Sequence, residues 1–263
     1  MPTVALNGLD LYYEQRGHGP RLLFLNGSGA SIGTTEPMIT PFCARFDVLV
    51  HDQRGLGRTS IPDAPFTMAQ YAADAAALLD HVGWDTCRVI GISFGGMVAQ
   101  ELAVTWPERI ERLALVCTSP GGIAPSYPLH EVAALPADER AAVQLRILDR
   151  RFTPEWFETH PNDRLLLQGM AQRALIEKTD EQLRGEAEQL QARRYHDVVD
   201  RLGNLGCPTL VASGRFDGIA PVENGRLIAD RIPGAELRLY DGGHAFWLQD
   251  HQALPDLFEF LGQ

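Results

Sequence analysis

Three apolar runs in this chain end in glycine-bearing turns, and that arrangement narrows the choice of fold more than anything else in the sequence. Leu22–Leu25 runs into Asn26-Gly27-Ser28-Gly29, Phe46–His51 into Asp52-Gln53-Arg54-Gly55-Leu56-Gly57, and Arg88–Ile92 into Ser93-Phe94-Gly95-Gly96. A continuous apolar run with no polar alternation marks a strand covered on both faces. Behind Thr67, a residue suited to an N-cap, Met68, Tyr71, Ala72, Ala75, Leu78, Leu79 and Val82 recur at helical spacing. A second helix is expected over Phe94–Thr105, closed by Pro107, and a further strand over Leu113–Cys117. Strands alternating with helices of this length build βαβ units and a mostly parallel sheet, an α/β protein. Thr3–Asn7 and Leu9–Gln15, either side of Gly8, read as an opening hairpin.

The alternation then stops. From residue 125 to 202 no buried strand is expected, only amphipathic helical stretches broken by Pro128, Pro136, Pro154 and Pro161. Charge rises there as well: these 78 residues hold 14 acidic and 11 basic side chains, about a third of the segment, against about a sixth elsewhere. So charged a stretch does not continue a buried sheet. After Cys207-Pro208 the pattern resumes with a strand at Thr209–Ser213, a helix at Val222–Arg231, a strand at Ala235–Tyr240 and a last helix at Gln252–Leu261. The organisation expected is a core in two parts, 1–124 and 203–263, interrupted by a helical insertion at 125–202.

Composition excludes several classes of function. The formal net charge of −11 opposes general nucleic-acid binding, which needs a basic face to displace counterions. No run approaches the roughly 20 apolar residues that span a bilayer, so no membrane role is expected. The first residues carry no basic segment followed by an apolar one, so a secretory signal is not expected either. Cys43, Cys87, Cys117 and Cys207 are widely spaced and form no metal-ligand pattern. A cytoplasmic protein with reduced thiols is the expectation.

The chemistry concentrates at Gly91-Ile92-Ser93-Phe94-Gly95, a Gly-x-Ser-x-Gly pattern between an apolar strand and a helix. A serine on so sharp a turn presents its hydroxyl clear of the backbone, and the glycines remove Cβ atoms that would collide. The following helix points its positive end at a developing oxyanion. Such a serine needs a base, and the base needs an orienting acid. In enzymes built on this strand–serine–helix turn the acid and then the histidine follow in chain order. After the insertion the histidines are His244, in the loop Asp241-Gly242-Gly243-His244, and His251 beside the last helix. His244 is the candidate base. Asp217, just beyond the Thr209–Ser213 strand, is the candidate acid; Asp230 falls within a helix and Asp241 is too close to His244 in sequence to face it.

These motifs resemble the α/β-hydrolase superfamily over nearly the whole chain. The matching pieces are Leu25-Asn26-Gly27-Ser28-Gly29, Asp52-Gln53-Arg54-Gly55-Leu56-Gly57-Arg58-Thr59, Gly91–Gly96, Trp106-Pro107-Glu108-Arg109-Ile110, Gly214–Asp217 and Gly243-His244. Within the superfamily the chain is similar to 3-oxoadipate enol-lactonases and carboxylesterases. The resemblance implies an eight-stranded, mostly parallel sheet with flanking helices, and residues 125–202 as a cap over the pocket. It implies Ser93 as nucleophile, His244 as general base and then acid, and Asp217 as its orienter. The oxyanion hole would be the backbone N–H groups of Phe94 and Ser28. Members commonly have His-Gly where this chain has Asn26-Gly27, a change that leaves the backbone donor in place.

The expected reaction is hydrolysis of a small carboxylic ester or lactone, with a small molecule as partner and no metal or organic cofactor. Carbon–carbon bond hydrolysis, cofactor-free perhydrolysis and lyase chemistry would use the same triad. A non-catalytic ligand-binding receptor on this fold is the alternative from a different class. Asn26, Met97, Trp156 and Trp247 are candidate pocket residues; Phe157, Met170 and Tyr195 are either cap interior or pocket lining. Arg150-Arg151 and Arg193-Arg194 are either a solvated helix face or a hold for a substrate carboxylate. The Asp52–Thr59 segment reads as a structural turn, without the glycine and lysine spacing of a nucleotide loop.

Overall fold

The computed structural model describes residues 3–63, 65–174 and 177–263, with the backbone alone at 170–174. An eight-stranded sheet forms the centre: β1 (Thr3–Leu6), β2 (Leu9–Gly17), β3 (Arg21–Leu25), β4 (Asp47–His51), β5 (Cys87–Ile92), β6 (Ile110–Val116), β7 (Thr209–Gly214) and β8 (Glu236–Tyr240). Their order is β1-β2-β4-β3-β5-β6-β7-β8. β2 is antiparallel to β1 and β4, and every pairing from β4 to β8 is parallel. The carboxyl ends of the parallel strands therefore face one side, where ligands of open α/β sheets bind.

Alternate residues of the central strands feed two cores. Leu23, Leu25, Val89, Leu113, Leu115 and Val211 pack with α2 (Met68–His81), α3 (Phe94–Thr105) and α9 (Val222–Arg231). Leu22, Phe24, Ile90, Ala114, Val116 and Leu210 pack on the other face with α1 (Ile32–Cys43) and α11 (Ala253–Gly262). Both faces are apolar, which is why these strands read as unbroken hydrophobic runs. Each fully buried Leu or Phe contributes about 1.5–3 kcal/mol relative to exposure. As anticipated, Thr67 caps α2, in a capping box with Gln70.

Helix α1 is absent from the sequence expectation because Pro37 and Pro41 lie inside it. Burial of Ile32, Ile39 and Phe42 against the sheet outweighs the lost hydrogen bonds. Its start is tied by the Ile32 N–H, which donates to Asp52 Oδ1 at 2.6 Å; Asp52 Oδ2 accepts from the Arg58 N–H at 2.8 Å. A Cβ at Gly57 (φ +56°) would lie 2.2 Å from Asp52 Oδ2. The Asp52–Thr59 turn thus serves structure: Arg54 makes a two-toothed pair with Asp74, Nε to Oδ2 and Nη2 to Oδ1, both 2.9 Å. Strand β6 begins three residues before the expected Leu113, continuing directly from the Pro107–Arg109 turn.

Between β6 and β7 lie α4 (Leu129–Ala133), α5 (Ala137–Leu148), α6 (Pro154–Thr159), α7 (Pro161–Ala174) and α8 (Asp180–Arg194). Among the described residues this stretch holds isolated bridges from Gly121 to Ala124 and to Asp197, but no strand. A four-residue helix, α10 (Phe246–Gln249), follows the His244 loop; it is too short to leave a periodic signal. No described helix is long and apolar enough to cross a membrane.

Candidate active site

Ser93 sits where β5 turns into α3, with φ 54° and ψ −114°, a conformation that costs of order 1–3 kcal/mol and persists because its surroundings enforce it. Those surroundings are tight. A Cβ at Gly91 would lie 2.4 Å from the Gly95 carbonyl oxygen, and one at Gly95 would lie 2.1 Å from the Leu25 carbonyl oxygen. The Ser93 N–H donates to Val116 O at 2.8 Å, and Thr118 Oγ1 donates to Ser93 O at 2.7 Å. Strained backbone and bracing together aim the hydroxyl away from the sheet.

From 151 residues further along the chain, His244 Nε2 comes within 2.9 Å of Ser93 Oγ. Its Nδ1 lies 2.8 Å from Asp217 Oδ2. Asp217 is fully buried, and its other oxygen accepts the N–H groups of Ile219 (2.7 Å) and Ala220 (2.9 Å). With Oδ1 so occupied, Oδ2 is left to take Nδ1–H, which makes Nε2 the acceptor facing serine. The structure thus brings together the three residues singled out in the sequence. His251 is exposed, in a turn before α11.

The Asn26–Gly29 loop lies against the serine: a Cβ at Gly27 would stand 3.6 Å from Ser93 Cβ. Among the described residues the N–H groups of Ser28 and Phe94 donate to no protein acceptor. Gln53 Nε2 holds the loop through Asn26 O at 2.6 Å, and Gln189 of α8 accepts the Gly29 N–H at 2.7 Å. The Asn26 side chain is fully buried with both polar atoms unpartnered. Around this loop a cavity of about 470 Å³ opens between Ser28, Thr35, Leu56 and Gln182.

The helical insertion touches the site through residues 147–150. Leu148 O accepts the His244 N–H at 2.6 Å, Ile147 O accepts the Gly218 N–H at 2.9 Å, and the Arg150 N–H donates to Phe216 O at 2.9 Å. Gln249 ties the same region together, accepting from Gly243 N–H and donating to Asp149 and Asp163. Sequence reasoning missed Leu148 and Gln249, since a backbone carbonyl and a surface-type glutamine carry no motif.

The candidate pocket residues separate. Met97 is buried and lines a cavity of about 220 Å³ beside α8. Trp247 is half-buried against Phe246, with its Nε1 unpartnered. Trp156 instead packs within the insertion: its ring stacks on His160 at 3.6 Å, Arg151 lies over it at 4.7 Å, and its Nε1 donates to Asp163. Phe157 packs on Phe152, whereas Tyr195 is 74% exposed and joins no interior. The Met170 side chain lies outside the described residues. Arg151 is engaged by Asp149 and Asp241, whereas Arg193 is buried without an ion pair. Among the described residues no group of three or more His, Cys, Asp or Glu side chains is arranged to hold a metal ion.

Comparison with known proteins agrees with this fold. The alpha/beta hydrolase fold family matches residues 20–250. A poly(3-hydroxyalkanoate) depolymerase of Ectopseudomonas oleovorans is 31% identical over 99% of this chain and 92% of its own. A protein of Azorhizobium caulinodans named for carbamate hydrolysis is 29% identical over 98% of this chain and 95% of its own. Among solved structures, the enol-lactonase of Burkholderia xenovorans LB400 superposes with a TM-score of 0.82 at 26% identity, covering 100% of both chains.

Proposed function

The chain belongs to the alpha/beta hydrolase fold family, and on that footing we propose that it is a serine hydrolase cleaving small carboxylic esters or lactones. One observation carries this reading: the unbroken hydrogen-bond chain from Ser93 through His244 to buried Asp217, ending on a serine held at positive φ. The relatives named for depolymerising a poly(3-hydroxyalkanoate) and for opening an enol-lactone support the bond class.

In this reading Ser93 Oγ attacks the substrate carbonyl carbon while His244 Nε2 takes the hydroxyl proton. Asp217 holds the imidazole in the tautomer that makes this possible and stabilises the cation that forms. The carbonyl oxygen, now negative, accepts from the Ser28 and Phe94 amides. Loss of one such donor costs on the order of 10²–10³ in turnover. Collapse of the tetrahedral intermediate expels the alcohol, which takes the proton back from His244 and leaves an acyl-serine. Water, deprotonated by His244, then attacks the acyl carbon and regenerates Ser93.

Residues 125–202 act as the cap in this reading. Their contacts with the Gly218 and His244 loops and with Gly29 support that role. The test is Ser93→Ala against a panel of p-nitrophenyl esters and small lactones, with fluorophosphonate labelling of the unmodified protein. Loss of turnover in a folded variant, and labelling confined to Ser93, are expected. Turnover undiminished in Ser93→Ala would overturn the assignment. Ligand-dependent stabilisation without turnover or labelling would point to a receptor.

A further inference from the structure

Arg193, at the end of α8, is a guanidinium buried without a counter-ion. It is 6% exposed, and among the described residues it makes no ion pair. Nε donates to Ser126 Oγ at 3.0 Å, but the buried Nη1 has no partner. Other arginines that enter the fold are neutralised: Arg54 by Asp74 and Arg151 by Asp149. A buried charge is costly unless paired, and a planar fork of N–H donors suits a carboxylate. Burial lowers Arg193 to about 10, against the raising influence of the nearby Asp217 carboxylate, so it stays cationic at neutral pH. Beside it His196 is 3% exposed with both ring nitrogens unpartnered. Burial and the Arg201 charge hold that imidazole neutral, down to about 3, leaving one N–H to donate.

Arg193, His196, Ser126, Tyr127, Leu190 and Met97 line the same cavity of about 220 Å³, and exposed Arg194 stands at its edge. The Met97 N–H donates to Ser93 O at 3.2 Å, so Met97, which lines the cavity, lies one turn along α3 from Ser93. We infer that this cavity is a subsite for a carboxylate carried on a short acyl arm of the substrate, with Arg193 as its charged anchor and His196 as a neutral second donor. The inference rests on Ser93 as the nucleophile for what lies at the other end of the arm.

The test compares mono-p-nitrophenyl glutarate with its methyl-capped diester. In Arg193→Gln the ratio of kcat/KM for the charged over the capped substrate falls about 10- to 100-fold, chiefly through KM, as loss of hydrogen bonds to a charged group implies. Arg193→Lys recovers part of it. An unchanged ratio, or equal loss on both substrates, overturns the subsite. Calorimetry on the Ser93→Ala protein reads the same subsite without catalysis and with Arg193 intact. Saturable binding of glutarate but not dimethyl glutarate supports it, and equal or absent binding of the two overturns it. Failure of the nucleophile reading shows separately, as hydrolysis of the capped ester by Ser93→Ala.

Discussion

The backbone N–H of His244 donates to the carbonyl of Leu148 at 2.6 Å, so the candidate base is held from the helical insertion as well as from the core. A residue that sequence places nearly a hundred positions away sets the height of the imidazole over Ser93. Asp149, fully buried beside it, pairs with Arg151 and accepts from Gln249, which in turn accepts the Gly243 N–H. The insertion is therefore part of the site's scaffolding, and its displacement moves the histidine.

Gly243→Ala tests that coupling. The added Cβ would lie 2.2 Å from Leu148 O and 2.5 Å from Asp149 Cβ. The loop must shift by an amount that misaligns Nε2 from Ser93 Oγ. Turnover is expected to fall on the order of 10²-fold with secondary structure retained, measured as kcat beside a circular dichroism spectrum. Full activity would show that the loop has slack.

Asp217→Asn keeps an acceptor for the Ile219 and Ala220 N–H groups but turns an amide toward His244 Nδ1. The imidazole then favours the tautomer with its proton on Nε2, facing the serine. A loss on the order of 10⁴ in kcat is expected, with little change in unfolding midpoint. A loss below tenfold on the hydrolysed ester would remove Asp217 from the triad.

Breaking the buried Arg54–Asp74 pair leaves an uncompensated charge. Asp74→Ala is expected to cost about 3–5 kcal/mol in urea unfolding, while removal of both partners as Arg54→Met with Asp74→Leu costs less. The Asn7 side chain, which donates to Asp74 Oδ1 at 3.0 Å, loses its partner in either case. Equal destabilisation by the single and double variants would contradict this account.

Acid sensitivity should trace in part to His51 at the end of β4. Burial lowers it to about 4, as it lowers His196 to about 3. Both folded values lie below the unfolded one, so below about pH 6.5 the unfolded chain binds more protons and stability falls as pH drops. Between pH 6 and pH 5 each imidazole removes about 1 kcal/mol. Asp52 and Asp74, raised chiefly by burial, act in the opposite direction, so the absolute slope is smaller than the two histidines alone would give. The difference between the parent and His51→Gln isolates one imidazole: the variant should lose about 1 kcal/mol less over that interval in urea titrations. An identical pH dependence would exclude His51.

Short-range pattern determined much of this protein. Unbroken apolar runs specify strands buried on both faces, Thr67 and Gln70 specify the start of α2, and Gly91 and Gly95 specify a turn no other residue fits. These are local conformational facts, and a chain carries them wherever it folds. Ser93, Asp217 and His244 were legible for a related reason: each follows the carboxyl end of a readable strand, and parallel strands bring such ends together.

What tertiary structure alone decided depends on desolvation between distant segments. Helix α1 forms despite Pro37 and Pro41 because the sheet covers Ile39 and Phe42. Residues 147–150 become a brace for His244 because the insertion folds back onto the loops of β7 and β8. Arg193 and Arg194 are neighbours of identical type, yet one is sealed against a cavity without a counter-ion and the other is exposed. Sequence cannot separate them, because burial is set by what packs above a residue, and that is decided only when segments far apart in the chain meet.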